Sequence, residues 1–429
     1  MGTVKAIRGT RDILPEDIGY WQHVEAIARE RFGQAAYREI RTPIFEQTNL
    51  FERGIGEATD VVGKEMYSFT DRGDRPITLR PENTAGVVRA FIEHNLHAQG
   101  GVQRLWYAGP MFRYERPQAG RQRQFHQLGA EVIGSADPRA DVEVIALAMD
   151  LLSQLGVTEL SLNLNSVGNF GDRQHYREAL INYFTPFKAE LDADSQDRLT
   201  RNPLRILDSK DERTQDIATD APSILDYLGD ESKHHFDRVQ TLLTDLEISY
   251  ALNPRLVRGL DYYTHTAFEI ISNSLGAQGT VCGGGRYDGL VTQLGGPATP
   301  AVGWAMGMER LILLLQQVQP AMEAALDFYV VSRGDEAEAQ SIQVAQQLRH
   351  LGFSVEVDLS GSAFGKQFKR ADRSGAIACL VIGDDEANQR TAQLKWLASG
   401  DQQTIQQSQL KEMADELQQK LTATQSASH

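Results

Sequence analysis

Cysteine is scarce: Cys282 and Cys379 are the only two in 429 residues. That excludes a disulfide framework and a cysteine-based zinc site. No stretch has the length of apolar run that a membrane helix requires, and the amino terminus carries no apolar signal core. A cytoplasmic protein with no membrane contact is therefore expected. Positive charge is in deficit as well, with 43 Lys and Arg against 58 Asp and Glu and a net charge of −15. This balance argues against indiscriminate binding to nucleic acid, because phosphate contacts need local positive charge. A shaped basic patch on an acidic body is not excluded. Familiar phosphate loops are missing too. Gly63-Lys64-Glu65 and Gly365-Lys366-Gln367 both fail the G-x-x-x-x-G-K-[ST] pattern, and Gly283-Gly284-Gly285 lacks the spacing of a dinucleotide fingerprint.

What is present is the composition of a globular protein, 41% hydrophobic and 24% charged. At this length two or three domains are expected. The first part reads as mixed α/β, with a helix over 18–34, a strand over 37–40, and paired strands over 66–70 and 77–80 across the polar turn 71–74. A helix is expected to start at Pro81. Residues 169–240 are rich in Asp, Glu, Arg and Leu at helical spacing and read as a helical insertion. Strand-like, Gly-rich sequence returns after Tyr250 and leads to a helix over 309–318. From about Leu326 a separate small α/β unit begins, with strands over 328–331, 354–357 and 377–382, a helix over 336–351 and a last helix over 410–421.

The most informative stretch runs from Leu105 to Glu131. Side chains on a strand alternate faces. Arg113 and Glu115 then share one face, as do Phe125, Gln127 and Glu131 on the following segment. Phe112, Tyr114, Leu128, Ala130 and Val132 fall on the other face, which reads as the core side. A basic loop with Arg116, Gln118, Arg121 and Arg123 joins the two segments. An Arg fork fits a phosphate, an aromatic ring stacks on a base, and a carboxylate accepts from an amine. Such a face suits a charged, planar substrate.

Three further strings carry chemistry. In Arg258-Gly259-Leu260-Asp261-Tyr262-Tyr263 the glycine permits close approach beside the arginine, although a surface ion pair in a turn would have the same letters. In Gly303-Trp304-Ala305-Met306-Gly307-Met308-Glu309-Arg310 a strand enters a helix. Arg310 then lies in a first turn where the helix dipole disfavours a cation, unless it faces an anion. Glu82 and Thr84 open a helix, where a carboxylate is favoured on structural grounds alone. Lys366, Lys369 and Arg370 put three positive charges on one short helix, commonly a solvated face.

Phe112-Arg113-x-Glu115 followed by Phe125-His126-Gln127 resembles the second motif of class II aminoacyl-tRNA synthetases. The run Arg123 to Glu131, the string Arg258 to Tyr263 and the string Cys282-Gly283-Gly284-Gly285-Arg286-Tyr287-Asp288 resemble the histidyl-tRNA synthetase family in particular. Residues 41–46 resemble the first class II motif, which builds a dimer interface, and 303–311 the third. The His-x-Gly-His element of class I synthetases is absent. The resemblance spans nearly the whole chain. It implies an antiparallel catalytic sheet over 1–322, the helical insertion within it, and an anticodon-binding α/β domain over 326–429.

The implied reaction is activation of L-histidine by Mg-ATP and its transfer to histidine tRNA, by a homodimer with no bound zinc, other resident metal or organic cofactor. By resemblance, Arg258 and Arg113 act at the α-phosphate and Arg310 at the γ-phosphate, with Glu115 and Phe125 also holding ATP. Glu82, Thr84 and Gln127 hold the histidine ammonium, Glu131 and Tyr263 its ring, and Tyr262 also belongs to the histidine site. Arg116, Gln118, Arg121, Lys366, Lys369 and Arg370 contact the tRNA. Asn83 stands where many bacterial members have Gly. Two rivals remain at this stage: the synthetase-like regulatory subunit of ATP phosphoribosyltransferase, which is a binding protein, and another class II synthetase.

Overall fold

The computed structural model describes residues 2–56, 59–272, 279–318 and 326–427. The chain divides into two compact units, Met1–Met322 and Glu323–His429.

The first unit is built on an eight-stranded sheet. Its spatial order is Arg38–Glu39, Gln103–Phe112, Gln124–Ile133, Ala301–Gly307, Thr280–Arg286, Thr264–Ser272, Leu160–Ser166 and Tyr250–Leu252. The six central strands are antiparallel, and each short edge strand pairs parallel with its neighbour. Alternation along these strands sorts the residues by chemistry. Trp106, Leu128, Ala130, Val132, Phe268, Val302 and Trp304 bury one face in a core shared with the helices Pro15–Gln34, Pro138–Gln154 and Met308–Val318. Gln127 and Glu131 fall on the other face, where they register against Gly307 and Gly303.

Tyr114, expected on the core side, is instead 54% exposed. The strand ends at Phe112, so alternation no longer governs its direction. Its ring lies against Tyr67, with the Arg123 guanidinium 3.8 Å from its centre.

The helix expected from Pro81 begins at Thr84 and runs to Glu93. The Glu82 carboxylate accounts for the delay. It accepts from the backbone N–H groups of Thr84 at 2.6 Å and Ala85 at 3.0 Å, and so satisfies donors that a helix start leaves free. Asn83 between them has φ −116°, which any residue adopts, so this turn needs no glycine. Its side-chain oxygen accepts from Thr42 at 2.5 Å and from buried Arg80 at 3.2 Å.

The inserted segment folds as the helices Phe170–Phe184, Ala193–Arg201 and Glu212–Thr219 around their own core of Tyr176, Leu180, Phe184, Leu199, Ile206 and Ile217. The next helix, Asp230–Asp245, sends Phe236, Val239 and Leu243 into the main core behind the sheet.

In the second unit a five-stranded sheet has the order Val355–Val357, Leu326–Ser332, Ala376–Ile382, Thr391–Trp396 and Gln402–Gln406. Phe328, Val330, Leu348, Ala378 and Leu380 are central to its core. The last helix spans Ala414–Ala427 rather than 410–421. A tight turn over Gln407–Gln409 delays its start, and no Gly or Pro follows Leu421 to stop it.

Candidate active site

Two adjacent cavities open on the polar face of the large sheet. The larger, about 310 Å³, is lined by Arg113, Glu115, Phe125, Arg258, Glu269 and Arg310, among others. The smaller, about 160 Å³, is lined by Glu82, Thr84, Gln127, Tyr262, Tyr263 and Tyr287, among others. Arg113 and Arg258 belong to both walls.

The arginines are held by different means. Arg113 Nε donates to the Pro81 carbonyl at 2.8 Å, and its guanidinium lies 5.4 Å from the centre of the Phe125 ring. Arg310, in the first turn of Met308–Val318, donates to the Thr280 carbonyl at 2.7 Å. Burial first, and then Arg121 nearby, lower its affinity for a proton. A buried cation beside a second cation favours an anionic ligand. Arg258 pairs with Glu269, and its Nε has no hydrogen-bond partner among the described residues. Glu115 lies 3.5 Å from Arg121 and 3.9 Å from Arg113.

The smaller cavity is bordered by a denser network of hydrogen bonds. Glu131 has no exposed surface, and both of its oxygens are engaged. Thr84 Oγ donates to one at 2.7 Å and the Tyr287 hydroxyl donates to the other. Burial drives its carboxyl up to about 8, against the lowering by Tyr287 and Thr84. Glu82 is raised by burial too, with its two backbone N–H bonds and Arg113 opposing. Burial also raises both Tyr262 and Tyr263, whose ring centres are 4.7 Å apart. Gln127 is buried with its side-chain oxygen unpartnered among the described residues, an acceptor that a ligand ammonium can satisfy.

A glycine makes room for this arrangement. A Cβ on Gly303 would lie 2.5 Å from the Ala130 carbonyl oxygen and 2.7 Å from the Glu131 carboxyl carbon. Any side chain there would displace Glu131.

Of the residues expected to bind ATP or histidine, all line one of the two cavities except Glu131, which lies one layer behind Thr84 and Tyr287. Arg116 and Gln118 are exposed on the loop between the two strands, and Arg121 is half-buried. Gln118 and Arg121 close a two-residue turn by mutual backbone bonds of 3.0 and 2.9 Å. In the second unit Lys366 and Lys369 are exposed on the helix Phe364–Arg373. Arg370 is tied down, with Nε donating to Asp358 at 2.8 Å and Nη2 donating to Ser362 at 2.6 Å. Residue-by-residue reading overlooked Tyr287 and Glu269. Tyr287 sat in a string already singled out, so its signal was present; Glu269 sits in an ordinary strand and had none.

An antiparallel sheet backed by helices, with one arginine just past a sheet strand, one in a loop and one opening a helix after the last strand, defines a class II aminoacyl-tRNA synthetase. Comparison with known proteins narrows the class. The family model for histidyl-tRNA synthetase matches residues 9–311, and that for the anticodon binding domain matches 327–420. The histidine–tRNA ligase of Picosynechococcus sp. is 72% identical over 410 residues, 96% of either chain. The apo histidyl-tRNA synthetase of S. aureus, a crystal structure, is 41% identical with a TM-score of 0.81 over 96% of this chain and 99% of that one. A Bacillus halodurans ATP phosphoribosyltransferase regulatory subunit/histidyl-tRNA synthetase shares the fold at 22% identity, with a TM-score of 0.65 over 89% of this chain and 99% of that one. The chain belongs to the histidyl-tRNA synthetase family, and its activity is that of a histidine–tRNA ligase. The regulatory-subunit alternative is not favoured by relatives of such high identity over nearly the full length.

Proposed function

We propose that the smaller cavity takes histidine, that the larger takes Mg-ATP, and that Arg113 and Arg258 act where the two substrates meet. The histidine carboxylate attacks the α-phosphorus, pyrophosphate leaves, and the adenylate carbonyl is then attacked by a hydroxyl of the terminal tRNA ribose with release of AMP. Neither step needs an enzyme nucleophile. Catalysis comes from alignment, and from cations placed where the phosphorus gains negative charge. The position of Arg113 and Arg258 on the shared wall is the observation that carries this reading.

In the same reading Arg310 holds the γ-phosphate, Phe125 stacks on adenine and Glu115 completes the ATP site. Glu82, Thr84 and Gln127 receive the ammonium. Tyr263, with Glu131 acting through Thr84 and Tyr287 in front of it, reads the imidazole, whose N–H needs an acceptor to be told from an apolar ring, and Tyr262 also lines the histidine cavity. Arg116, Gln118 and Arg121 meet the acceptor end of the tRNA. Residues 326–429 form the anticodon-binding domain, with Lys366, Lys369 and Arg370 on its contact surface. The protein works as a cytoplasmic homodimer through residues 41–46, where Ile44 and Phe45 are 44% and 57% exposed. ATP–pyrophosphate exchange with each amino acid in turn tests the assignment of the smaller cavity. Histidine alone should support exchange, and comparable exchange with several amino acids would overturn it.

A further inference from the structure

Arg258 lies in a stretch, residues 253–263, that is neither helix nor strand. A long, flexible arginine side chain has many rotamers, so its direction in such a stretch has to be set by what touches it. Two things do. Glu269, on the strand Thr264–Ser272, pairs with its Nη1. The other Glu269 oxygen is steadied by Thr280 Oγ at 3.3 Å. Gly283, in register opposite Glu269, supplies the floor; a Cβ there would come 2.6 Å from the Arg258 Cζ and overlap its Nη2. Burial works against the charge of Arg258, and Glu269, Tyr263 and Cys282 together outweigh it.

A carboxylate on the wall of a triphosphate cavity repels the substrate unless its charge is used for something else. We propose that Glu269 is a positioning residue for adenylation: it fixes the Arg258 guanidinium, laid over the bare backbone of Gly283, in the direction of the reacting phosphate. This deepens the reading of Arg258 given above and rests on it. A counter-ion needed only for folding would lower stability and leave turnover alone. A positioning residue acts through Arg258, so its effect vanishes when Arg258 is gone.

The test is a double-mutant cycle on the full-length chain, with single-turnover adenylate formation as the readout and thermal unfolding as the check on folding. Glu269→Gln keeps the size and an acceptor for Thr280 but loses the charge. It should slow adenylation by about tenfold to 10²-fold, the scale of a catalytic group displaced by about an ångström, with the KM for histidine little changed. Gly283→Ala should slow it comparably without altering any charge, and it carries the test alone if Glu269→Gln does not fold. On an Arg258→Ala background neither substitution should cost anything further. Full rate in the single variants, or losses that multiply with that of Arg258→Ala, would overturn the proposal. A normal rate in Arg258→Ala itself would instead overturn the underlying reading of Arg258.

Discussion

Thr84 Oγ donates to Glu131 across 2.7 Å, linking the first residue of the helix Thr84–Glu93 to the middle of the catalytic sheet. The same helix start is capped by Glu82. One end of the smaller cavity therefore carries two buried carboxylates whose positions depend on each other. Glu82 borders the cavity itself, while Glu131 lies behind Thr84 and Tyr287 and fixes the groups that a substrate would meet.

Glu131→Ala should raise the KM for histidine strongly and leave that for ATP nearly unchanged. A site built to hydrogen-bond its substrate rejects analogues that leave buried groups unpaired. The variant should accordingly lose preference for histidine over isosteric analogues that lack the ring N–H. Steady-state exchange kinetics with histidine and such an analogue check this. Equal damage to both substrates, with selectivity kept, would make Glu131 a support of the sheet.

Glu131 also predicts a pH dependence. Burial raises its carboxyl from 4.5 to about 8, so the folded protein keeps a proton that the unfolded chain gives up. The stability this group contributes is complete below the lower value and is lost as pH rises through the upper one. Glu131→Gln removes that titration. Between the two values, the unfolding midpoint of the variant should gain on that of the wild type as pH increases. A constant difference across this window would count against a neutral buried carboxyl.

In the second unit the three cations should separate in their effects. Lys366→Glu with Lys369→Glu should weaken tRNA binding and reduce its salt slope, with histidine activation and thermal stability unaltered. Arg370→Ala should weaken tRNA binding too and, unlike the lysine changes, also lower the stability of that unit. Burial raises the Asp358 carboxyl, yet Arg370 and Ser360 outweigh it and hold it well below the ordinary carboxylate range. Tighter or unchanged tRNA binding by the double-lysine variant at moderate salt would leave the lysines as a solvated face.

The fold class was legible from the motif resemblance, and strand alternation over Gln124–Ile133 correctly put Leu128, Ala130 and Val132 on the core face and Gln127 and Glu131 on the other. Alternation fails where a strand stops, which is why Tyr114 was misplaced. The start of the helix at Thr84 was missed because a side chain two residues earlier does the capping. The partners of Glu131 lie 47 and 156 residues away, and that pairing leaves no periodic mark in the sequence. The same holds for the helix Asp230–Asp245, whose membership of the main core depends on tertiary packing.

Arg258→Ala gives the most direct test of the account, provided that binding and chemistry are measured apart. Equilibrium titration should give a histidine affinity within about threefold of wild type, because the contact strengthens only as charge develops on the phosphorus. Single-turnover adenylation should fall by about 10²-fold or more, the typical cost of losing one such contact. A near-normal rate with the fold intact, or a loss of histidine affinity as large as the loss of rate, would contradict it.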